Sequence, residues 1–224
     1  MAPFITAAMP FDVQKDLAPV AMFVATPFVV VVNPELPVKS ITEMIAYAKA
    51  NPNKLSYATP GVGTPHHLGT ELFKAVTGIS MVHVPYRGGQ PAVTDLIAGR
   101  VQVMWLTINA ATPHLKTGKV RALAVAEPTR LPSLPDLPTV AESLPGYEVR
   151  AWYAIFAPSG TAPGTIAQVS AEVQRIFSDP AVLARLTPIG YQKSTTGPGP
   201  LAETVARDLK LWEKVVRDAG IEKQ

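Results

Sequence analysis

A short loop with two glycines, Thr59-Pro-Gly-Val-Gly-Thr64, has the residue types that can bind an anion. It follows a predicted strand and precedes a predicted helix that begins at Pro65, with Thr64 as its N-cap. Gly61 and Gly63 put no side chain between the main chain and a ligand, and the free N–H groups at a helix start attract negative charge. A carboxylate suits this loop. An ordinary strand-to-helix turn with a capping threonine explains the same residues equally well.

A second glycine turn, Tyr86-Arg-Gly-Gly-Gln90, repeats this arrangement after the next predicted strand. Ligands of open parallel sheets bind beyond the carboxyl ends of the strands, so we expect both turns, and the strand end at Leu106-Thr-Ile-Asn109, to lie at the binding edge. Arg87 either adds positive charge to an anion site or projects into water, as a single loop arginine usually does.

The adjacent histidines His66 and His67 suggest a metal site, but their spacing argues against one. Neighbouring residues of a helix point to different sides, and His67 with Glu71 supplies only two ligands where a zinc site needs three or four. The sequence does not place His83 or His114 beside them. We therefore expect no metal ion, and we expect His67 to form a hydrogen bond within the loop that it follows.

The motifs of common enzyme classes do not occur. The sequence has neither the Gly-x-Ser-x-Gly elbow of hydrolases nor a P-loop. The segment Gly61-Val-Gly63-Thr-Pro-His66 matches two glycines of the dinucleotide-binding fingerprint but has histidine at the third, and Tyr86 ends the next strand where an acidic residue is expected. We therefore predict no catalytic residue.

Composition narrows the class of protein further. Apolar residues make up 47% of the 224 residues and charged residues 17%, which is typical of a soluble globular protein. The net charge of +3 is spread along the chain without a basic stripe, so nucleic acid is not an expected partner. The longest apolar stretch, Ala21–Val32, contains Thr26 and Pro27 and is too short to span a bilayer. The absence of cysteine excludes disulfides and thiolate chemistry.

The loops are positioned by alternating strands and helices between residues 28 and 126. Predicted strands lie at 28–32, 55–59, 81–86, 101–106 and 120–126, and predicted helices begin near residues 41, 65, 91 and 109. This alternation predicts an α/β fold with a mostly parallel sheet and helices on both faces.

The pattern changes after Ala126. A surface connection rich in Pro and Leu precedes a predicted strand at 148–157 and three predicted helices, near 163–176, after Asp179 and at 200–219. We therefore predict two lobes: residues 27–126 form a lobe that is inserted into another lobe made of residues 1–26 and 127–224. Two strands cross between them and can act as a hinge.

Five segments carry a specific resemblance to a known family. In order, they are Val31–Ser40, Leu55–Leu68, His83–Gly89, Leu137–Glu142 and Leu211–Val216. Together they resemble the Bug family, the extracytoplasmic receptors of tripartite tricarboxylate transporters, and the resemblance covers essentially the whole chain.

This resemblance implies a two-lobed periplasmic binding protein fold of the type II kind, with parallel-sheet lobes and helices on both faces. It implies a periplasmic receptor, not an enzyme, that closes on a small organic carboxylate and delivers it to a membrane permease. The receptor is not itself expected to span the membrane or to need a cofactor.

By the same resemblance, both glycine loops belong to the ligand pocket and hold the carboxylate largely through main-chain donors. Thr107 stands where many relatives carry an acidic residue, which favours a plain organic acid over an amine-bearing ligand. The candidate ligand-binding residues are Thr59, Gly61, Gly63, Thr64, His67, Tyr86, Gly88, Gly89, Gln90 and Thr107.

Family members carry a signal peptide and the opening elements of the first lobe ahead of the position that matches Met1, so we expect the first lobe to be incomplete here. Two alternatives to a working receptor stay open. One is a truncated remnant that binds nothing, and the other is an α/β enzyme that acts on a small acid.

Overall fold

The chain divides into two units in the computed structural model, which describes residues 2–6 and 8–223. The larger unit is Pro27–Arg150, and the smaller unit combines the chain up to Thr26 with the chain from Ala151 onwards. The main chain passes between the units twice, both times within a strand.

The described residues contain eight helices, seven strands and two short 3-10 segments. In chain order they are α1 Ala2–Ile5, β1 Leu17–Val32, α2 Ile41–Ala50, β2 Ser56–Thr59, α3 Pro65–Thr77, β3 Val82–Pro85, α4 Gly89–Ile97, β4 Val103–Thr107, α5 Ile108–Lys116, β5 Arg121–Val125, a 3-10 turn Val140–Glu142, β6 Arg150–Pro158, α6 Pro163–Ile176, α7 Pro180–Leu186, a 3-10 turn Thr187–Ile189, β7 Gln192–Thr196 and α8 Pro198–Asp218. None of these helices is long and apolar enough to cross a membrane.

The sheet of the larger unit has the strand order β3-β2-β4-β1-β5. Strand β2 runs parallel to both β3 and β4, as the alternation of strands and helices predicts. Strand β1, however, runs antiparallel to β4 on one side and to β5 on the other. The prediction of a mostly parallel sheet therefore needs a correction at β1, which enters the sheet from the other unit and not through a strand–helix–strand crossover.

Helices cover both faces of this sheet. On one face, α4 and α5 bury aliphatic side chains against alternate residues of the strands, and the strand residues in this cluster are Val29, Val31, Ala58, Met104, Leu106 and Val125. On the other face, the ring of Phe73 in α3 lies 5.2 Å from the ring of Trp105 in β4, and both side chains are fully buried. The two faces together fix the position of α3, α4 and α5 relative to the strands that precede them.

The segment after β5 belongs to the larger unit, although the sequence analysis assigns it to the other lobe. The hydroxyl of Tyr147 accepts a hydrogen bond from Trp105 Nε1 and donates one to the carbonyl of Gly69, each at 2.9 Å. The N–H of Val149 donates to the carbonyl of Ala126 at 2.9 Å. These contacts place the second crossing after Arg150 and not near residue 126, and the Pro- and Leu-rich composition of the connection gives no sign of them.

The smaller unit contains its own strands and helices. Strand β7 pairs antiparallel with the first half of β1, and β6 also pairs with β1. Trp152 of β6 donates a hydrogen bond from Nε1 to Asp208 of α8 at 2.7 Å. The sequence gives no sign of β7, because Gln-Lys-Ser-Thr-Thr has no apolar alternation, or of α1, because four residues are too few for a helical period.

Candidate functional site

Three helices begin at one edge of the sheet in the larger unit. Strands β2, β3 and β4 run in the same direction, so their carboxyl ends lie at the same edge, and Thr59 is in register with Pro85. Each strand leads within a few residues into α3, α4 or α5. Free N–H groups at helix starts carry partial positive charge, so this edge presents several such groups together.

The loop between β2 and α3 has the conformation that its glycines permit. Gly61 and Gly63 have φ angles of 149° and 72°, which side chains strongly disfavour. Thr64 caps α3 as predicted: its Oγ1 accepts from the N–H of His67 at 3.4 Å and donates to the carbonyl of Gly61 at 2.8 Å. Gly78 ends the helix in the left-handed region, also as predicted.

Some main-chain donors of this loop have no partner. Among residues 2–6 and 8–223, no acceptor is hydrogen-bonded to the N–H of Val62, Thr64 or His66. The N–H of Gly63 is different, because it donates to Nδ1 of His67 at 3.0 Å. The donors left for an anion are therefore a subset of those that the sequence offers.

The second glycine turn lies directly against the first. The N–H of Tyr86 donates to the carbonyl of Thr59 at 2.9 Å, and the N–H of Gly88 donates to the carbonyl of Pro60 at 3.1 Å. A Cβ added to Gly61 would stand 3.7 Å from the carbonyl oxygen of Tyr86. The two turns predicted to share an edge are thus in contact.

Individual residues of the second turn differ in what they can offer. The Tyr86 side chain packs on the aliphatic cluster and donates from its hydroxyl to Asp95 Oδ2 at 2.8 Å. Burial and this hydrogen bond raise the pKa of Tyr86 to about 12. Its side chain is therefore engaged within the protein. The rest of the turn consists of the main chain of Gly88, at φ 111°, and Gly89, beside the exposed Gln90.

Thr107 ends β4 at the same edge. It is the N-cap of α5, its side chain makes no capping hydrogen bond, and it is half-buried. It stands opposite Phe28 in the register between β4 and β1.

The two adjacent histidines point to different sides, as expected. The ring of His66 meets Phe28 edge to face at 4.9 Å, and burial lowers the pKa of His66 to about 4. His67 is 4% exposed and accepts from the Gly63 N–H, which confirms the hydrogen bond predicted within its loop. The buried ring of His67 therefore lies beneath the loop and contacts its main chain at Gly63.

Beneath the loop lies a group of side chains that we call the imidazole cluster: Tyr57, His67, Glu71, Lys74 and His83. The rings of His67 and His83 stack with centroids 4.0 Å apart, and Tyr57 stacks on His83 at 4.8 Å. Glu71 Oε1 accepts from the Tyr57 hydroxyl and from Lys74 Nζ, the latter at 2.7 Å, and lies 3.9 Å from His67 Nε2. His83 Nε2 lies 2.7 Å from Thr59 Oγ1.

The sequence analysis does not place His83 in this cluster. Tyr57 and His83 are in register on neighbouring parallel strands, so their side chains point to the same face. This register becomes known only once the two strands are paired. The alternation of Tyr57 with Ala58, and of His83 with Val84, is the only local signal.

Burial favours the neutral form of both imidazoles in this cluster. Burial, together with the smaller effects of the neighbouring His67 and Lys74, lowers the pKa of His83 to about 3. Burial also lowers the pKa of His67, against the raising effect of Glu71. Within residues 2–6 and 8–223, no group of three or more His, Cys, Asp or Glu residues could hold a metal ion.

The sequence matches one protein family over residues 1–221, and that family is described as "Tripartite tricarboxylate transporter family receptor". The chain belongs to this family. The description is that of a receptor and not of an enzyme, in agreement with the resemblance drawn from the sequence motifs.

Solved structures of relatives have the same fold. R. palustris Rpa4515 with adipate is 34% identical, with a TM-score of 0.85 over 99% of this chain and 74% of that chain. The periplasmic binding protein BugD is 30% identical, with a TM-score of 0.82 over 100% and 76%. MatC from Rhodopseudomonas palustris with bound malate is 31% identical, with a TM-score of 0.77 over 96% and 74%. The chain has the two-lobed periplasmic binding protein fold that the resemblance implies.

The chain spans 64% of the length of the "UPF0065 protein in tcbD-tcbE intergenic region" of Pseudomonas sp. (strain P51), to which it is 35% identical. It spans 66% of the length of "Protein BugT" of Bordetella pertussis, to which it is 33% identical.

Proposed function

We propose that this chain is a periplasmic receptor that captures a small organic carboxylate and delivers it to the permease of a tripartite tricarboxylate transporter. The observation that carries this proposal is the meeting of three helix starts and two glycine turns at one edge of the sheet in the larger unit. Family membership supports the role, and two solved relatives hold carboxylates, adipate and malate.

The physical argument for a carboxylate rests on unused donors. The N–H groups of Val62, Thr64 and His66 are bonded to no acceptor within the described chain, so they are available to a bound anion. A carboxylate oxygen is a strong acceptor and carries the charge that helix starts favour. Glycine at positions 61, 63 and 88 lets such a group approach the main chain closely.

The proposed binding residues differ in whether main-chain or side-chain groups face the ligand. Seven of them shape the main chain of the site or offer main-chain groups: Thr59, Gly61, Gly63, Thr64, Tyr86, Gly88 and Gly89. Gln90 and Thr107 can offer side-chain groups at the rim. His67 belongs to the site through its hydrogen bond to Gly63.

The location and the partner follow from the family and are part of the same proposal. BugD is a periplasmic binding protein, and the family takes its name from a transporter. A receptor with this role works in the periplasm and meets a membrane permease when its ligand is bound.

Thermal unfolding of the chain with a panel of acids tests the binding role. Adipate, malate, citrate, benzoate and a neutral amide of adipate serve as probes. An acid present at about 100 times its dissociation constant should stabilise the fold by about 2.7 kcal/mol, and the amide should not. A cooperative transition that none of the acids shifts would contradict the proposal.

Two substitutions at one position test whether a main-chain donor carries the binding. Thr64 has φ −67°, which proline can adopt, so Thr64→Pro removes both the hydroxyl and the N–H, while the matched control Thr64→Ala removes the hydroxyl alone. By isothermal titration, we expect the proline variant to bind at least about tenfold more weakly than the alanine variant. Equal affinities would exclude the Thr64 N–H as a ligand donor.

A further inference from the structure

The imidazole cluster touches the loop of the proposed site at both of its glycines. His67 Nδ1 accepts the N–H of Gly63 at 3.0 Å. His83 Nε2 lies 2.7 Å from Thr59 Oγ1, and that hydroxyl lies 3.2 Å from the carbonyl oxygen of Gly61. Each histidine is therefore connected to one glycine of the loop, His67 directly and His83 through Thr59.

The hydrogen bond from Gly63 determines where the His67 imidazole carries its proton. An imidazole nitrogen that accepts an N–H has no proton of its own, so His67 is protonated at Nε2, on the side of Glu71 Oε1. For His83, either Nε2–H donates to Thr59 Oγ1 and the hydroxyl donates to the Gly61 carbonyl, or the hydroxyl donates to Nε2 and accepts from the Gly61 N–H. The assignment for His67 needs a neutral ring, because a protonated imidazole has no acceptor nitrogen.

The remaining members of the cluster hold the two rings in place. Stacking at 4.0 Å fixes His67 and His83 against each other, and the ring of Tyr57 lies 4.8 Å from His83 and 6.3 Å from His67. The negative charge of Glu71 is matched by Lys74 at 2.7 Å and by the Tyr57 hydroxyl. Lys74 also lies over the Tyr57 ring, 5.5 Å from its centroid.

We propose that His67 is a positioning residue of the proposed carboxylate site, which sets the conformation of the loop by accepting the Gly63 N–H. The hydrogen bond to His67 determines which main-chain N–H groups of the loop face the ligand. In this conformation the Gly63 N–H is bonded to His67, whereas the N–H groups of Val62 and Thr64 have no acceptor in the part of the chain that the structure describes. His67 itself does not touch the ligand, and this role rests on the proposed function.

Two substitutions separate this role from simple packing. His67→Asn keeps an acceptor, because the Asn side-chain oxygen can occupy a place near Nδ1, while His67→Leu keeps apolar bulk without an acceptor. His114→Leu is the matched control, since it removes a histidine of α5 outside the cluster. All variants are made in the full chain.

The first measurement is hydrogen exchange of the Gly63 amide by NMR, without ligand. We expect exchange at least about tenfold faster in His67→Leu than in the unaltered chain, and nearly unchanged exchange in His67→Asn and His114→Leu. Unchanged Gly63 exchange in His67→Leu would overturn the proposal. This result does not depend on the protein binding any acid, so it is distinct from a failure of the proposed function.

The second measurement is the affinity for the acid that best stabilises the fold. His67→Leu should lose at least about tenfold in affinity, and His67→Asn should recover most of it even where both variants melt at similar temperatures. Equal losses in the two variants would mean that the ring acts by packing alone, which also overturns the proposal.

Discussion

On one face of the sheet in the larger unit, helices α4 and α5 pack aliphatic side chains against β1, β4 and β5. On the other face, helix α3 packs Phe73 against Trp105 and, nearer the site, the imidazole cluster against β2 and β3. Both faces belong to the same sheet, and strands β2 and β4 contribute buried side chains to each of them. They differ in whether the buried groups need hydrogen-bond partners.

This difference has a physical consequence. Aliphatic packing is not directional, so the face formed with α4 and α5 contributes stability without specifying the shape of a loop. Hydrogen bonds of buried polar groups are directional and costly to leave unmade, so the face formed with α3 specifies where the loop main chain lies. Substitutions on the two faces should therefore affect stability and affinity to different degrees.

The largest expected effect is a loss of stability when the face formed with α4 and α5 is altered. Leu96 of α4 is fully buried, and Leu96→Ala should lower the free energy of unfolding by about 2–5 kcal/mol because it leaves a cavity. Urea unfolding measures this loss, and Val76→Ala on the exposed side of α3 is the control, with an expected change below about 0.5 kcal/mol. The affinity of folded Leu96→Ala for acid should be unchanged. A loss of affinity would show that the two faces are not separable.

A smaller effect on stability is expected from pH, and it comes from histidines on the face formed with α3. His66 and His83 have pKa values of about 4 and 3 when folded, whereas the unfolded chain takes up protons near pH 6.5. Between about pH 6 and 4 the unfolded state thus binds more protons, and each such imidazole lowers stability by about 1.4 kcal/mol per pH unit as the pH falls.

The variant His83→Gln tests this pH effect, because Gln can keep the contact with Thr59 but does not titrate. The slope of stability against pH should be smaller by up to about 1.4 kcal/mol per pH unit than in the unaltered chain. In Leu96→Ala the slope should stay the same while the whole curve shifts. If His83→Gln keeps the original slope, His83 is not neutral in the folded protein at the pH values tested.

The smallest expected effect comes from removing the N-cap side chain of a helix, and two helices allow a comparison. Thr64 caps α3 at the proposed site, and Ser40 caps α2 away from it, where its Oγ accepts from the Glu43 N–H at 3.1 Å. Alanine at either position should cost about 1 kcal/mol of stability. Thr64→Ala should also weaken acid binding by about threefold, because it releases the Gly61 carbonyl, and Ser40→Ala should not. Equal effects on affinity would argue against a special role for the α3 cap.

Much of the local structure could be predicted from the sequence. The caps at Ser40 and Thr64, the stop at Gly78 and the helices between them depend on hydrogen bonds that join residues within four positions. The same holds for the hydrogen bond between His67 and Gly63, whose residues are four apart. Such contacts can be derived from residue order because the chain cannot separate the partners.

Other features depend on residues that are distant in the sequence. His83 reaches Thr59 across 24 positions, and Tyr147 reaches Gly69 across 78. No local pattern specifies these pairs, and none specifies that β1 lies antiparallel between β4 and β5 or that residues 127–150 join the larger unit.

The sequence by itself determined the α/β alternation, the two glycine turns, the capped start of α3 and, through its motifs, the family. Only the tertiary structure decided that the turns touch and that His83 stacks on His67. The reason is that propensity and capping act over one helical turn. The pairing of strands and the burial of polar rings are settled by the packing of the whole sheet.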